Sequence, residues 1–278
     1  MSVLAHELGD ELPAWSLPAS AGESIRVAGS WPQRVTREWA FGGATGAGVR
    51  VCVLDSGVET DHPRVGTVQR SLAVTREDGE IVIADDDSGD LCGHGTACAG
   101  IIRSLAPECE LTSVRVLGSG WTGSGAVMVA GLEWAVREGF DVVNMSLSTT
   151  KKQYVDRLHE LADAAYFKRT MLVASAHNMP VESFPWRFAS VVSVGSHEDE
   201  EPLAYYYNPN PPVEFFARGL NVEVAWLGGT TVTSTGNSFA APHVAGICAL
   251  VLSKHPELTP FQLKSVLHLT ATNVGGNE

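Results

Sequence analysis

Gly236-Asn-Ser-Phe-Ala-Ala-Pro-His-Val-Ala-Gly246 is the stretch on which the reading of this chain turns. It sets a hydroxyl, Ser238, two residues after a glycine and at the mouth of an apolar run, Ala240 to Lys254, that reads as a buried helix. A serine hydroxyl is a poor nucleophile alone; it needs a base within hydrogen-bond reach, and the base needs an orienting acceptor. Two other Gly-rich segments offer these groups. Gly93-His94-Gly95-Thr96 places an imidazole at the start of a small-residue helix running to about Ile102. Val53-Leu-Asp55-Ser-Gly57 places a carboxylate just past a β-rich run, Val49 to Leu54. Each residue taken singly has an ordinary reading: an Asp after a strand is a turn residue, a His beside Gly is structural, a Ser before a helix is an N-cap. The three together point to a nucleophile, a general base and its orienting acid.

The segments between alternate in type. Leu111 to Leu117, Asp141 to Leu147, Thr170 to Ala174 and Ser190 to Val194 read as strands. Val127 to Glu138 and Tyr154 to Lys168 carry helical spacing, and a last helix begins after Thr259, its N-cap, with Pro260 at the first position. Strands alternating with helices imply an α/β fold, a mostly parallel sheet covered by helices on both faces. The alternation runs from about residue 35 to the end without a linker, so the expected organisation is an irregular extension over residues 1–34 and one domain over 35–278.

The order Asp, His, Ser along the chain, with these motifs, resembles the subtilase family of serine endopeptidases. The resemblance covers about residues 35–274. It includes Trp39-Ala40 through Thr45-Gly-Ala-Gly-Val49, His94-Gly-Thr96 with Ala99-Gly100, Asn144-Met-Ser-Leu147, Pro242-His-Val-Ala-Gly246 and Leu252-Ser-Lys-His-Pro256. It implies a subtilisin-like three-layer sandwich and a catalytic triad of Asp55, His94 and Ser238 acting through an acyl-enzyme. It also implies an oxyanion hole built from the Ser238 backbone N–H and the side chain of Asn178. His177 stands where the family has Gly, which implies an altered backbone beside Asn178.

By the same resemblance, two extended segments, Ser119-Gly120-Trp121-Thr-Gly123 and Ser146-Leu147-Ser148-Thr149, pair with a peptide substrate by β-augmentation. Ser148 and Thr149, replacing glycines, narrow the primary pocket's entrance, and Trp121 walls a subsite further from the scissile bond. Glu182 in the short segment Met179 to Phe184 is a candidate for selecting a basic side chain. The family's calcium loop is missing, because Gly100 to Pro107 runs almost directly to Leu111; no metal and no cofactor are expected. The run Asp85-Asp86-Asp87 with Asp90 carries hard oxygen ligands but reads first as a solvated loop, as does Glu198 to Glu201. Cys98, four residues after His94 on one helix face, is expected beneath the imidazole or simply in the core.

A net charge of −13 disfavours nucleic acid and anionic membranes as partners. Five cysteines without metal spacing, and no apolar leader or span, fit a reducing cytoplasm. About fifty residues precede Asp55, short for the family's folding prosegment, so unaided folding is expected. The sequence therefore indicates hydrolysis of peptide bonds in a peptide or protein substrate, for which cleavage of a precursor peptide is one setting. Transpeptidation through the same triad and a non-catalytic peptide-binding module are the alternatives.

Overall fold

The computed structural model describes residues 16–17 and 31–274. The chain divides into two units, residues 1–33 and 34–278; the extension expected at the N-terminus lies almost wholly outside the described residues, and the second unit is treated by itself below.

Five strands come from runs buried on both faces. In β1 (Arg50–Asp55) every residue after Arg50 is buried. Val51 and Val53 join one core while Cys52 and Leu54 join the other, as a period of two requires. β4 (Glu110–Arg115), β5 (Val142–Met145), β6 (Met171–Ser175) and β7 (Val192–His197) are built alike, and with β2 (Arg70–Glu77) they run parallel. The sheet has nine strands in the order β3-β2-β4-β1-β5-β6-β7-β9-β8. β3 (Glu80–Asp85) and β8 (Tyr205–Tyr207) close its edges antiparallel to β2 and to β9 (Phe215–Arg218). A separate hairpin, β10 (Val222–Trp226) with β11 (Thr230–Ser234), precedes the Ser238 helix. The strands β2, β3 and β8 to β11 were not legible in the sequence.

Helices cover both faces. On one lie α1 (Arg37–Phe41), α2 (His94–Leu105), α5 (Asn237–Lys254) and α6 (Pro260–Thr270). On the other lie α3 (Gly125–Glu138) and α4 (Val155–Phe167). The fold is thus a three-layer α/β sandwich with a mostly parallel central sheet. α5 is buried without interruption from Phe239 to Leu252, the mark of a helix apolar all round and wrapped on every side. α6 begins at the expected cap: the Thr259 hydroxyl accepts from Gln262 N–H while the Gln262 side chain accepts from Thr259 N–H.

The chain leaves β1, builds β2, β3 and β4 on one side of it, then crosses to β5, β6 and β7 on the other. That reversal is where open α/β sheets form clefts at the carboxyl ends of their strands.

Candidate active site

Asp55 is the last residue of β1 and is fully buried. Its Oδ1 accepts from Ser56 N–H at 2.8 Å and from His94 Nδ1 at 2.8 Å. His94 opens α2 and is 4% exposed. Two glycines permit this approach. Gly57 turns the chain at φ +103°, and a Cβ on Gly95 would lie 1.9 Å from Gly57 O. Burial, the largest single influence, opposes the imidazolium, yet the Asp55 carboxylate together with Cys98 holds the His94 pKa well above the usual 6.5.

The start of α2 is fixed by a residue that motif reading missed. Asp90 Oδ1 accepts from Ser56 Oγ at 2.8 Å and from the N–H groups of Cys92 and Gly93 at 2.9 Å each. Its Oδ2 accepts from Thr96 N–H at 2.8 Å and Thr96 Oγ1 at 2.6 Å. Gly93 has no side chain to cap the helix, so a carboxylate from outside does so. An Asp three residues before a Gly-His helix start was the available signal. The neighbouring acids are also held: Asp86 makes a two-point pair with Arg115, at 2.7 and 3.0 Å, that lowers its pKa, and Asp85 closes β3 and pairs with Arg70. This corrects the reading of the run as a solvated loop: Asp87 is exposed, while Asp86 and Asp90 are partly buried and occupied by protein donors.

Ser238 is the second residue of α5. Its carbonyl accepts from Ser146 Oγ at 2.8 Å, and Cys98 Sγ lies 3.7 Å from the same atom. Cys98 sits 4.0 Å from His94 Nδ1 and 3.8 Å from Asp55 Oδ2, so one buried thiol touches all three candidate residues. Burial pushes its pKa up, keeping it an uncharged thiol. The Phe239 ring stands 5.4 Å from the His94 ring. Among the described residues the Ser238 hydroxyl makes no hydrogen bond. A methyl placed on Gly236 would lie 3.2 Å from Ser238 Oγ and 3.4 Å from Asn178 Nδ2, so the hydroxyl and the Asn178 amide flank one point. Asn178 Oδ1 accepts from Asn237 N–H at 2.9 Å, which leaves Nδ2 as the end able to donate. Asn237 ties α5 to β7 through Ser196 N–H and Oγ, at 2.9 and 2.8 Å.

His177, where an altered backbone was expected, does not have a positive φ; its Nδ1 accepts from Met179 N–H at 3.0 Å and shapes the turn. Glu182 is exposed and paired with Lys152 at 3.0 Å, which lowers its pKa, so it offers no unpaired charge to select a basic side chain.

The two expected substrate strands also differ from the reading. Ser119-Gly120-Trp121 forms a 3-10 turn rather than an extended strand, with Gly120 at φ +75° and Trp121 at φ +63°. Gly118 N–H closes this loop onto Thr122 O at 2.8 Å, removing a donor from any added strand. Trp121 is 52% exposed and meets the His94 ring edge-on at 5.0 Å, so it stands beside the imidazole and not at a distant subsite. Trp226 of β10 lies 6.3 Å from Trp121. On the other side, Ser146 is buried against Ser238, Leu147 is half-buried, and Ser148 Oγ donates to Ser183 Oγ at 3.0 Å. Thr149 pairs both its N–H and C=O with Phe184, which ends the segment open to a peptide.

The family model described as "Subtilase family" matches residues 46–278. Subtilisin DY of Bacillus licheniformis is 33% identical over 253 residues, covering 84% of this chain and 87% of that protein. Subtilisin Savinase of Lederbergia lenta is 33% identical over 244 residues, covering 84% and 87%. The crystal structure of a cold-adapted subtilisin-like serine proteinase superposes with a TM-score of 0.65 at 28% identity, covering 83% of this chain and 86% of that one.

Proposed function

The chain belongs to the subtilase family of serine endopeptidases, and from that premise we propose that Asp55, His94 and Ser238 are its catalytic triad. The observation that carries the assignment is the buried 2.8 Å contact between His94 Nδ1 and Asp55 Oδ1, at the start of the helix that packs against the Ser238 helix. Ser238 Oγ attacks the scissile carbonyl carbon; His94 Nε2 takes the hydroxyl proton and then gives it to the departing amine. Asp55 keeps the Nδ1–H tautomer and stabilises the imidazolium. The carbonyl oxygen gains charge as the tetrahedral intermediate forms. Asn178 Nδ2 and the Ser238 backbone N–H, at the positive end of α5, donate to it. Water then attacks the acyl ester, with His94 again accepting the proton, and the acid product leaves.

The substrate is a peptide or protein, and no helix among the described residues is long and apolar enough to cross a membrane. We place the enzyme in a reducing cytoplasm, where cleavage of a precursor peptide is a fitting task, because its five cysteines are all unpaired thiols. Residues 35–278 form the peptidase domain in this proposal.

A fluorophosphonate tests the triad directly, since an activated serine attacks phosphorus as it does a carbonyl. One adduct on Ser238, lost in Ser238→Ala together with peptide cleavage, is the expected result. An unlabelled parent, or undiminished cleavage by Ser238→Ala, rejects the assignment.

A further inference from the structure

Between α2, β9, β10 and α5 lies a cavity of about 380 Å³. Arg64, Arg103, Arg218, Glu223 and His243 are among its lining residues. The three guanidinium groups differ in their partners. Arg64 pairs with Glu223. Arg103 donates to the carbonyls of Val65, Thr67, Pro107 and Cys109. Arg218, the last residue of β9, has no hydrogen bond or ion pair among the described residues, and its Nε is buried. Glu223 is the one carboxylate set against three guanidinium groups, so the cavity holds a surplus of positive charge in a chain whose net charge is −13.

A buried donor without an acceptor costs free energy, and Nε of the half-buried Arg218 is such a donor. Such a group calls for an explanation outside the chain. The guanidinium fork matches the paired oxygens of carboxylates and phosphates. His243 stands beside it: its Nδ1 donates to Phe239 O at 2.8 Å, leaving Nε2 to accept a proton. Burial, with the Arg218 charge as a further cause, depresses its pKa to about 4. An anion next to Arg218 reverses that second cause.

We infer that this cavity is a binding site for a small oxyanion, a carboxylate or a phosphate, held by the unpartnered Arg218 guanidinium beside His243. The site is separate from the proposed peptide cleft. Its walls include the helices that begin at His94 and Asn237, so an occupant touches both elements that carry the proposed base and nucleophile.

The full chain carrying Ser238→Ala, which prevents self-digestion, provides the test. Thermal melts are compared in sodium phosphate and in sodium chloride of equal ionic strength. A second arm compares an N-acetyl dipeptide acid with its C-terminal amide. Specific binding raises Tm saturably, by about 3–6 °C at ten times Kd, and moves the His243 imidazole resonance to a higher titration midpoint. In Arg218→Met both responses vanish while the anion-free Tm is equal or higher, because an unsatisfied buried N–H has been removed. A response to phosphate alone identifies free phosphate as the ligand; a response to the acid but not the amide identifies a peptide carboxylate. The inference is overturned if neither probe exceeds chloride, or if Arg218→Met keeps the response. The His243 titration in the Arg218 parent decides the matter should that variant not fold.

Discussion

Asp90→Ala removes the acceptor on which the start of α2 depends, and the structure fixes how much is lost. Five donors converge on this carboxylate. Three are backbone N–H groups, which cannot turn away. The two hydroxyls are committed as well: Ser56 Oγ accepts from Gly95 N–H at 3.0 Å and Thr96 Oγ1 from Glu59 N–H at 2.9 Å, so their protons point to Asp90. Thr96 is fully buried. Leaving two or three such donors unsatisfied, at about 1–3 kcal/mol each less what entering water restores, gives about 3–4 kcal/mol. At about 2–3 °C per kcal/mol, Tm falls by about 6–12 °C. Asp90→Asn is the sharper experiment. It keeps the shape but puts an NH2 where only donors wait, and it should recover no more than half of the loss. Melts are measured in the Ser238→Ala background, and peptide hydrolysis in the otherwise unchanged chain. Because Gly93 and His94 move with this network, kcat/KM should drop on the order of 10- to 10²-fold. A Tm within about 1 °C of the parent for Asp90→Ala, or full recovery by Asp90→Asn, refutes the reasoning.

Further expectations follow from the same geometry. Asn178→Ala should lower kcat by on the order of 10²–10³ with little change in KM, since this donor acts on charge that develops in the transition state; equal losses in substrate binding would count against it. The kcat/KM profile should rise with pH along a one-proton limb whose midpoint lies above 6.5, because the base must be neutral and Asp55 holds its proton on; a midpoint below 6.5 contradicts the assignment. His243 is buried with a depressed pKa, so its contribution to stability is complete above about pH 6.5 and is lost as pH falls toward 4. From that difference melts should lose about 3 kcal/mol over the interval, less in phosphate if the cavity fills. EDTA should shift Tm by less than about 2 °C, because Asp86 and Asp90 already serve protein donors; a large fall would point to a cation elsewhere. In H2¹⁸O, linear peptides should yield acids labelled at the new C-terminus, whereas cyclic or amine-ligated products at low amine concentration would indicate acyl transfer instead.

The interior of this fold was legible because burial on both faces leaves a strong signal. Val49 to Leu54 and Thr170 to Ala174 are continuous apolar runs, and β1 and β6 differ from them by a residue or so at each end. The edges were not legible. β2 and β3 carry Arg70, Arg76, Glu77, Glu80 and Asp85, polar residues that an edge hairpin tolerates and that hide its alternation. The three motifs located Asp55, His94 and Ser238 because each needs glycine neighbours for close approach. The support around them was hidden because it is assembled across the chain. Asp90 reaches Ser56, 34 residues away, and Ser146 reaches Ser238, 92 residues away. An extended substrate segment was expected at Ser119 to Gly123 from the family resemblance; the turn found there rests on positive φ at Gly120 and Trp121, which the sequence does not announce.

The electrostatics of the site show why an acid belongs at the end of β1. His94 begins a twelve-residue helix, and the N-terminus of a helix is positive, so its own scaffold favours the neutral ring. Burial favours the neutral ring as well. Both influences suit a base waiting to accept a proton, but neither helps it hold that proton while the tetrahedral intermediate exists. Asp55, brought to 2.8 Å by Gly57 and Gly95, supplies the opposing field, and it acts where water is excluded and charge is weakly screened. The helix of the proposed nucleophile is treated the other way. Ser238 also lies at a helix start, but in the proposed mechanism the charge that develops beside it is negative, so the same dipole would stabilise the reaction there. No carboxylate hydrogen-bonds to Ser238 among the described residues; its carbonyl meets a hydroxyl and an uncharged thiol. In the proposed mechanism two helix starts of equal sign thus serve opposite charges, because the Asp55 carboxylate meets His94 and the Asp90 carboxylate caps the same helix, while none meets Ser238 among the described residues.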